Sequence, residues 1–182
     1  MKKLLVVLAA GLGAAAALPA SAQEGSNSFY VGGSLGQAHF SNVCNGSAVE
    51  CKDRDTLWNV FAGWQLLRYI ALEAGVGEFG HLTIDGANAK ANAIELDAVG
   101  TLPLLAKFSL IGRVGAFHGD MKGEGIAQRK NGVTYGWGAE FAPTPAVGLR
   151  LEWQRYPDMG GGPFGAETDI DTMRVAALIR WH

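Results

Sequence analysis

The sequence holds only two cysteines and six prolines in 182 residues, and beyond residue 22 it has no run of 18 or more apolar residues. Two cysteines are too few for a disulfide-knit scaffold or a thiolate metal centre. The missing apolar run excludes a transmembrane helix from the later chain. A basic surplus is absent too: 15 Lys and Arg stand against 17 Asp and Glu, which argues against a nucleic-acid partner. His39, His81, His118 and His182 show no ligand spacing, so neither a metal nor a cofactor is expected.

The amino terminus reads as an address. Lys2 and Lys3 precede an apolar run, and Pro19-Ala20-Ser21-Ala22 closes it with an Ala-x-Ala cleavage signal. Cleavage is expected after Ala22, leaving residues 1–22 as a signal peptide and 23–182 as one domain. No cysteine follows the cut, so lipidation there is not expected. Export implies an oxidising compartment, and a disulfide between Cys44 and Cys51 is the default expectation.

What the sequence does contain is a period of two. Segments 29–36, 58–66, 70–77, 94–102, 108–116, 133–141, 147–154 and 173–181 each alternate apolar with small or polar residues. Trp58, Val60, Ala62, Trp64 and Leu66 share one face; Asn59, Phe61, Gly63 and Gln65 share the other. Eight such segments, each long enough to cross a bilayer when tilted, predict an all-β, antiparallel, up-and-down barrel of eight strands. Short connections at 67–68, 103–106 and 143–146 alternate with long polar ones near 41–54, 81–92, 119–131 and 157–171. Short turns at one end and long loops at the other fit an outer-membrane barrel better than a soluble sandwich or lipocalin-like barrel.

The two faces then acquire environments. One carries most of the large apolar and aromatic side chains. The other mixes Gly, Ala and Ser with Glu73, Glu95, Asp97, Glu140, Glu152, Arg113, Arg150, Arg174 and Arg180. Apolar-out and polar-in suits lipid outside and a polar lumen within. Phe29, Trp64, Phe108, Phe141 and Trp181 lie beside a chain end or a short turn on the apolar face, as an interfacial girdle would. Trp58, Tyr135 and Trp153 fall in the other half. Glu73, Glu140 and Arg150 sit at about one height, three to four residues above the short turns, and with Arg113, Glu152 and Asp97 form a candidate ion-pair network.

Two stretches carry a resemblance. Tyr69 to Gly80, YIALEAGVGEFG, is similar to the third strand of the OmpA transmembrane domain. Gly138 to Tyr156, GAEFAPTPAVGLRLEWQRY, resembles its sixth and seventh strands, including the Pro-containing turn. YVGGSLG and RVGAF match more loosely. The resemblance implies a salt-bridge gate across the lumen, with Glu73, Glu140 and Arg150 matching three of its members. The family's fourth-strand lysine corresponds to Val99, which weakens the case for a switching gate. The resemblance does not extend to a peptidoglycan-binding domain. Small single-domain relatives of the OmpX type imply a role at the cell surface.

The expected function is therefore a monomeric, non-enzymatic outer-membrane barrel. Its lumen is filled by charge, its partners are the outer-membrane bilayer and an unspecified extracellular ligand of the long loops, and its role is structural or surface interaction. A narrow ion or solute channel is the alternative. A lipid-modifying enzyme is a third reading: Ser34 or Ser41 near His39, with Asp55, can be drawn as a triad, but so can most Ser, His and Asp near loops. Asn45-Gly46-Ser47 matches a glycosylation acceptor by chance, and Asp169 and Asp171 lack the rest of a calcium loop.

Overall fold

In a computed structural model, which describes residues 28–40, 54–84, 87–123, 126–160 and 168–181, eight antiparallel strands close into a barrel in chain order. They are β1 (Ser28–Phe40), β2 (Arg54–Leu67), β3 (Ile70–Ile84), β4 (Ala87–Leu105), β5 (Phe108–Gly123), β6 (Ile126–Thr144), β7 (Val147–Gly160) and β8 (Thr168–Trp181). β1 pairs with β8 over twelve register positions, so no strand edge is left open. The expected signal peptide and the Cys44–Cys51 disulfide lie outside the described residues.

Register fixes the shape. From Phe29 the pairing runs through Trp64, Leu72, Ala98, Val114, Tyr135, Arg155 and Asp171, and returns to β1 at His39, ten residues further along. That stagger over eight strands corresponds to a strand tilt of about 40°, as expected for a narrow barrel. It also brings the girdle residues level. Phe29 pairs with both Trp64 and Trp181, Phe108 pairs with Phe141, and the Phe29 and Trp64 rings stack at 6.0 Å.

The alternation read from the sequence is matched by burial along every strand. Residues 57, 59, 61 and 63 point inward and are buried; 56, 58, 60 and 62 point outward and are exposed. Val31, Leu35, Leu96, Val114, Leu151, Val175 and Ile179 are outward and exposed, an inside-out distribution that water would penalise and lipid accepts.

Two expected boundaries shift. The short turns fall at Arg68 and Tyr69, Ala106 and Lys107, and Pro145 and Ala146. The loops expected near 81–92 and 119–131 are largely strand, with pairs such as Asn92↔Asp120 and His118↔Asn131. The outward face turns polar there, with Lys90, Asn92, His118 and Arg129, while Ala91, Ala93 and Phe117 face inward, so the lipid-facing apolar stripe breaks off, while the backbone ladder needs no apolar side chain to continue. The prolines sit where a ladder tolerates them. Pro103, Pro143 and Pro157 fall at three of the barrel's register shifts. A further shift, between Glu78 and His81, contains Gly80 at φ 87°, a conformation that a side chain would strain.

The interior is layered. Ala38, Leu57, Phe79, Ala91, Ala93, Phe117, Tyr156 and Ile170 form an apolar cluster toward the end away from the short turns. Tyr156 anchors it, with Phe79 and Phe117 edge-on to its ring at 4.8 and 5.3 Å. A second cluster, Tyr30, Phe61, Ala71, Ala176 and Leu178, lies nearer the turn end. Charged side chains fill the space between and run on among the second cluster to Arg180, which is opposite Tyr30 at the turn end.

Candidate functional site: the barrel lumen

Arg113 on β5 is the hub of the buried charges. Its Nη2 donates to Asp97 Oδ2 at 2.7 Å and to Glu73 Oε2 at 2.9 Å, and its Nη1 to Glu152 Oε2 at 3.1 Å. Glu73 and Asp97 are directly opposite each other on β3 and β4. Two carboxylates so placed repel; a single guanidinium nitrogen bridging both removes the conflict.

Arg150 on β7 works lower in the barrel. Its Nε donates to Glu140 Oε2 at 2.7 Å, and its Nη1 meets Glu73 Oε1 across the lumen. Its guanidinium carbon lies 5.3 Å from the Tyr30 ring centroid and 5.8 Å from that of Phe61, a favourable packing of cation on aromatic faces. Arg180 Nη2 closes the turn end against both Glu140 oxygens at 2.6 and 2.7 Å.

All six residues of the candidate network, Glu73, Asp97, Arg113, Glu140, Arg150 and Glu152, are buried and in one connected set of contacts. Sequence reasoning left the upper members out of that set. Arg174 joins Glu152 at 3.0 Å to Glu95 at 3.5 Å and also meets Gln154. Glu95 accepts from Tyr156 Oη at 2.6 Å and from Asn59 Nδ2 at 2.9 Å, and Glu73 accepts from Tyr30 Oη at 2.7 Å. Their inward phase was the available signal. Tyr30 and Tyr156 went unnoticed because aromatic residues in such a barrel are first read as lipid-facing. Val99, in place of the lysine that the family resemblance implies, is buried and brings no charge.

The catalytic alternative gains nothing. Ser34 Oγ is buried with no hydrogen-bond partner, so no base activates it; Ser41 lies outside the described residues. His118 Nδ1 contacts Asn131 Oδ1 at 2.6 Å on the outward face. Among the described residues no group of three or more His, Cys, Asp or Glu side chains is placed to hold a metal.

A closed eight-stranded barrel with apolar outside and charged inside now stands beside the known proteins. The family model for the outer membrane protein beta-barrel domain matches residues 6–178. The chain belongs to this family. Outer membrane protein A of Escherichia fergusonii is 25% identical over 200 residues, covering 100% of this chain and 56% of its own length. Outer membrane protein P5 of Haemophilus influenzae is 30% identical over 190 residues, covering 88% of this chain and 52% of its own. The chain thus spans about half the length of these curated relatives.

Solved structures agree on the fold. Neisserial surface protein A superposes with a TM-score of 0.64 at 15% identity, covering 84% of this chain and 97% of its own. The N-terminal barrel of Pseudomonas aeruginosa OprF gives 0.59 at 13%, covering 87% and 100%. Ail of Yersinia pestis gives 0.58 at 15%, covering 85% and 99%. The protein is an OmpA-like outer-membrane barrel, and its bilayer is the outer membrane.

Proposed function

We propose that this protein is a closed-lumen barrel with a structural or surface-interaction role, acting as a monomer and carrying out no chemistry. The observation that carries the reading is the continuous interior. Four guanidiniums tie carboxylates on β3, β4, β6 and β7 together, with one apolar cluster beyond them toward the loops and the other packed among them toward the turns. An eight-stranded lumen is only wide enough to be filled by side chains, and here it is filled. Each strand pair hydrogen-bonds its backbone internally, as hydrocarbon requires. By the usual orientation of such barrels the short turns face the periplasm, which puts the Phe29, Trp64, Phe108, Phe141 and Trp181 girdle at the inner interface and the β1–β2 and β7–β8 connections at the cell surface.

The surface role rests on those connections. Ail is described in complex with the heparin analogue sucrose octasulfate, whereas two basic side chains described near this barrel's outer rim are paired with acids. Arg129 is matched to Asp120 at 3.0 Å, and Lys90 to Glu78 at 3.7 Å. The deciding experiment is single-channel recording in planar bilayers with the folded protein. A silent membrane is expected, and binding of surface ligands should depend on the loops alone. Steady conductance through wild-type protein would establish the narrow-channel reading instead, and a mass change in outer-membrane lipid A on expression would establish the enzymatic one.

A further inference from the structure

The turn end of the barrel carries charge of one sign. Arg68 in the β2–β3 turn and Lys107 in the β4–β5 turn are both exposed. The turn-end segments 65–70, 102–109 and 141–148 hold no Asp or Glu. Arg68 lies over the Tyr69 ring at 5.2 Å, and among the described residues neither cation has an ion-pair partner. The two turns are two strand spacings apart, about 10 Å. Both long side chains can therefore reach one group held between them.

Between the cations the aromatic girdle is broken. Trp64 on β2 and Phe108 on β5 flank the break, where β3 and β4 present Ile70 and Leu102 instead. Above Leu102 the outer wall is hollow. Gly100 is opposite Ile70 on one side and Gly112 on the other, and Gly112 is opposite Trp137. Beyond its chain neighbours, a methyl group built on Gly112 would meet nothing within 4 Å, and one on Gly100 only the Gly112 carbonyl oxygen at 3.9 Å. Trp137, 64% exposed, stands on the far side of this recess. Gly112 lies five residues up β5 from Lys107. That is a rise of about 13 Å at the barrel's tilt, half of an apolar band about 25 Å tall. The recess is one leaflet deep, and its open end is the basic one.

We propose that the β3–β4 face binds one anionic phospholipid of the periplasmic leaflet. Its phosphate sits between Arg68 and Lys107, and one acyl chain runs in the Gly100–Gly112 recess beside Trp137. Charge selects the headgroup. A zwitterionic lipid brings an amine that finds no carboxylate here, whereas each cation at the surface favours an anionic headgroup about fivefold. Depth selects a lipid over a soluble anion, because the recess opens to hydrocarbon. The choice of leaflet rests on the orientation in the proposed function; the binding face does not.

The test refolds the whole chain into phosphatidylcholine vesicles holding a fixed minor share of phosphatidylglycerol. Bromine on the acyl chains of one lipid or the other, at equal content, quenches nearby tryptophan fluorescence. The part due to Trp137 is the part lost in Trp137→Phe. There, phosphatidylglycerol should be preferred about 25-fold over phosphatidylcholine. Arg68→Gln and Lys107→Gln should each lower the preference about fivefold, and the double variant should remove it. Gly112→Leu fills the recess from outside and should remove it with both cations in place. Arg129→Gln, at the loop end and paired with Asp120, should leave it unchanged. Equal quenching by the two lipids in wild-type protein overturns the site, as does a preference that survives the double variant or Gly112→Leu. Both leaflets of the vesicle have one composition, so none of these outcomes depends on orientation. An epitope inserted between Pro145 and Ala146 reads orientation separately: antibody access in intact cells overturns the periplasmic leaflet and leaves the lipid site standing.

Discussion

Arg150 on β7 and Glu73 on β3 pair across the lumen although their strands share no ladder. The contact joins opposite walls of the barrel. Glu73 does not depend on it alone, because Arg113 Nη2 also holds it at 2.9 Å, and Glu140 keeps Arg180 at 2.6 Å. The interior is thus a network with shared counter-ions rather than a single latch, and losing Arg150 leaves each of its carboxylates, Glu73, Glu140 and Glu152, with another cation.

Arg150→Ala should therefore weaken the barrel without unfolding it. Breaking a buried pair outright costs about 3–5 kcal/mol; with the second counter-ions retained, a loss of about 2–3 kcal/mol is expected in urea unfolding from vesicles. Water and cations enter the vacated volume, so small-cation leakage should rise in planar bilayers. Leu149→Ala, one residue away on the outward face, should show no leakage. A leaking Leu149→Ala beside a silent Arg150→Ala would mean that the facing of β7 is inverted.

The apolar layer at the loop end makes a separable prediction. Phe79 packs edge-on to Tyr156 at 4.8 Å and is 3% exposed. Phe79→Ala should cost about 3–5 kcal/mol through lost burial and the cavity it leaves. The charge layer beneath is untouched, so bilayer conductance should stay at the wild-type level. Conductance appearing in Phe79→Ala would show that this layer, not the ion pairs, closes the lumen.

How much of this was legible in the sequence follows from what faces lipid. Within the apolar band one face of each strand meets hydrocarbon, so the period of two is enforced and all eight strands can be read. Beyond it the outward face turns polar and the inward one carries the small and aromatic residues of the loop-end cluster. Asn92, His118 and Asn131 then look like loop residues, although their strands stay paired. Some interior pairs could also be read. Arg150 is directly opposite Glu140 across the β6–β7 hairpin, and Glu152 is opposite Arg174. The hub could not. Arg113 has Val99 and Gly136 as its ladder neighbours; Asp97 is a diagonal neighbour in the same hairpin, but Glu73 and Glu152 lie two strands away on either side, within reach only through the curvature of the wall, which no local pattern encodes.

Cys44 and Cys51 should be joined in protein taken from an oxidising envelope. The segment between them is short, so the chain-entropy argument gives at most about 3 kcal/mol. Thiol titration of unfolded, unreduced protein should find no free thiol. Two reactive thiols per chain would defeat the expectation.

The depth of the apolar band can be measured by placing one charge at two heights. Leu151 is outward, 52% exposed, and lies on β7 among Leu149, Trp153 and Val175. Thr56 is also outward and exposed, but lies near the loop end of β2, beside Asp55. An arginine on the lipid face costs about 2–4 kcal/mol at the bilayer midplane and about 0–1 kcal/mol near the interface. Leu151→Arg should therefore lose about 2–4 kcal/mol in vesicle unfolding titrations, and Thr56→Arg less than about 1 kcal/mol. Both variants keep every interior contact, so neither should gain conductance. Equal losses at the two sites would mean that Thr56 is as deep in hydrocarbon as Leu151. The apolar band would then extend beyond the outward-facing Trp58, Val76, Ile94 and Val133 toward the loops.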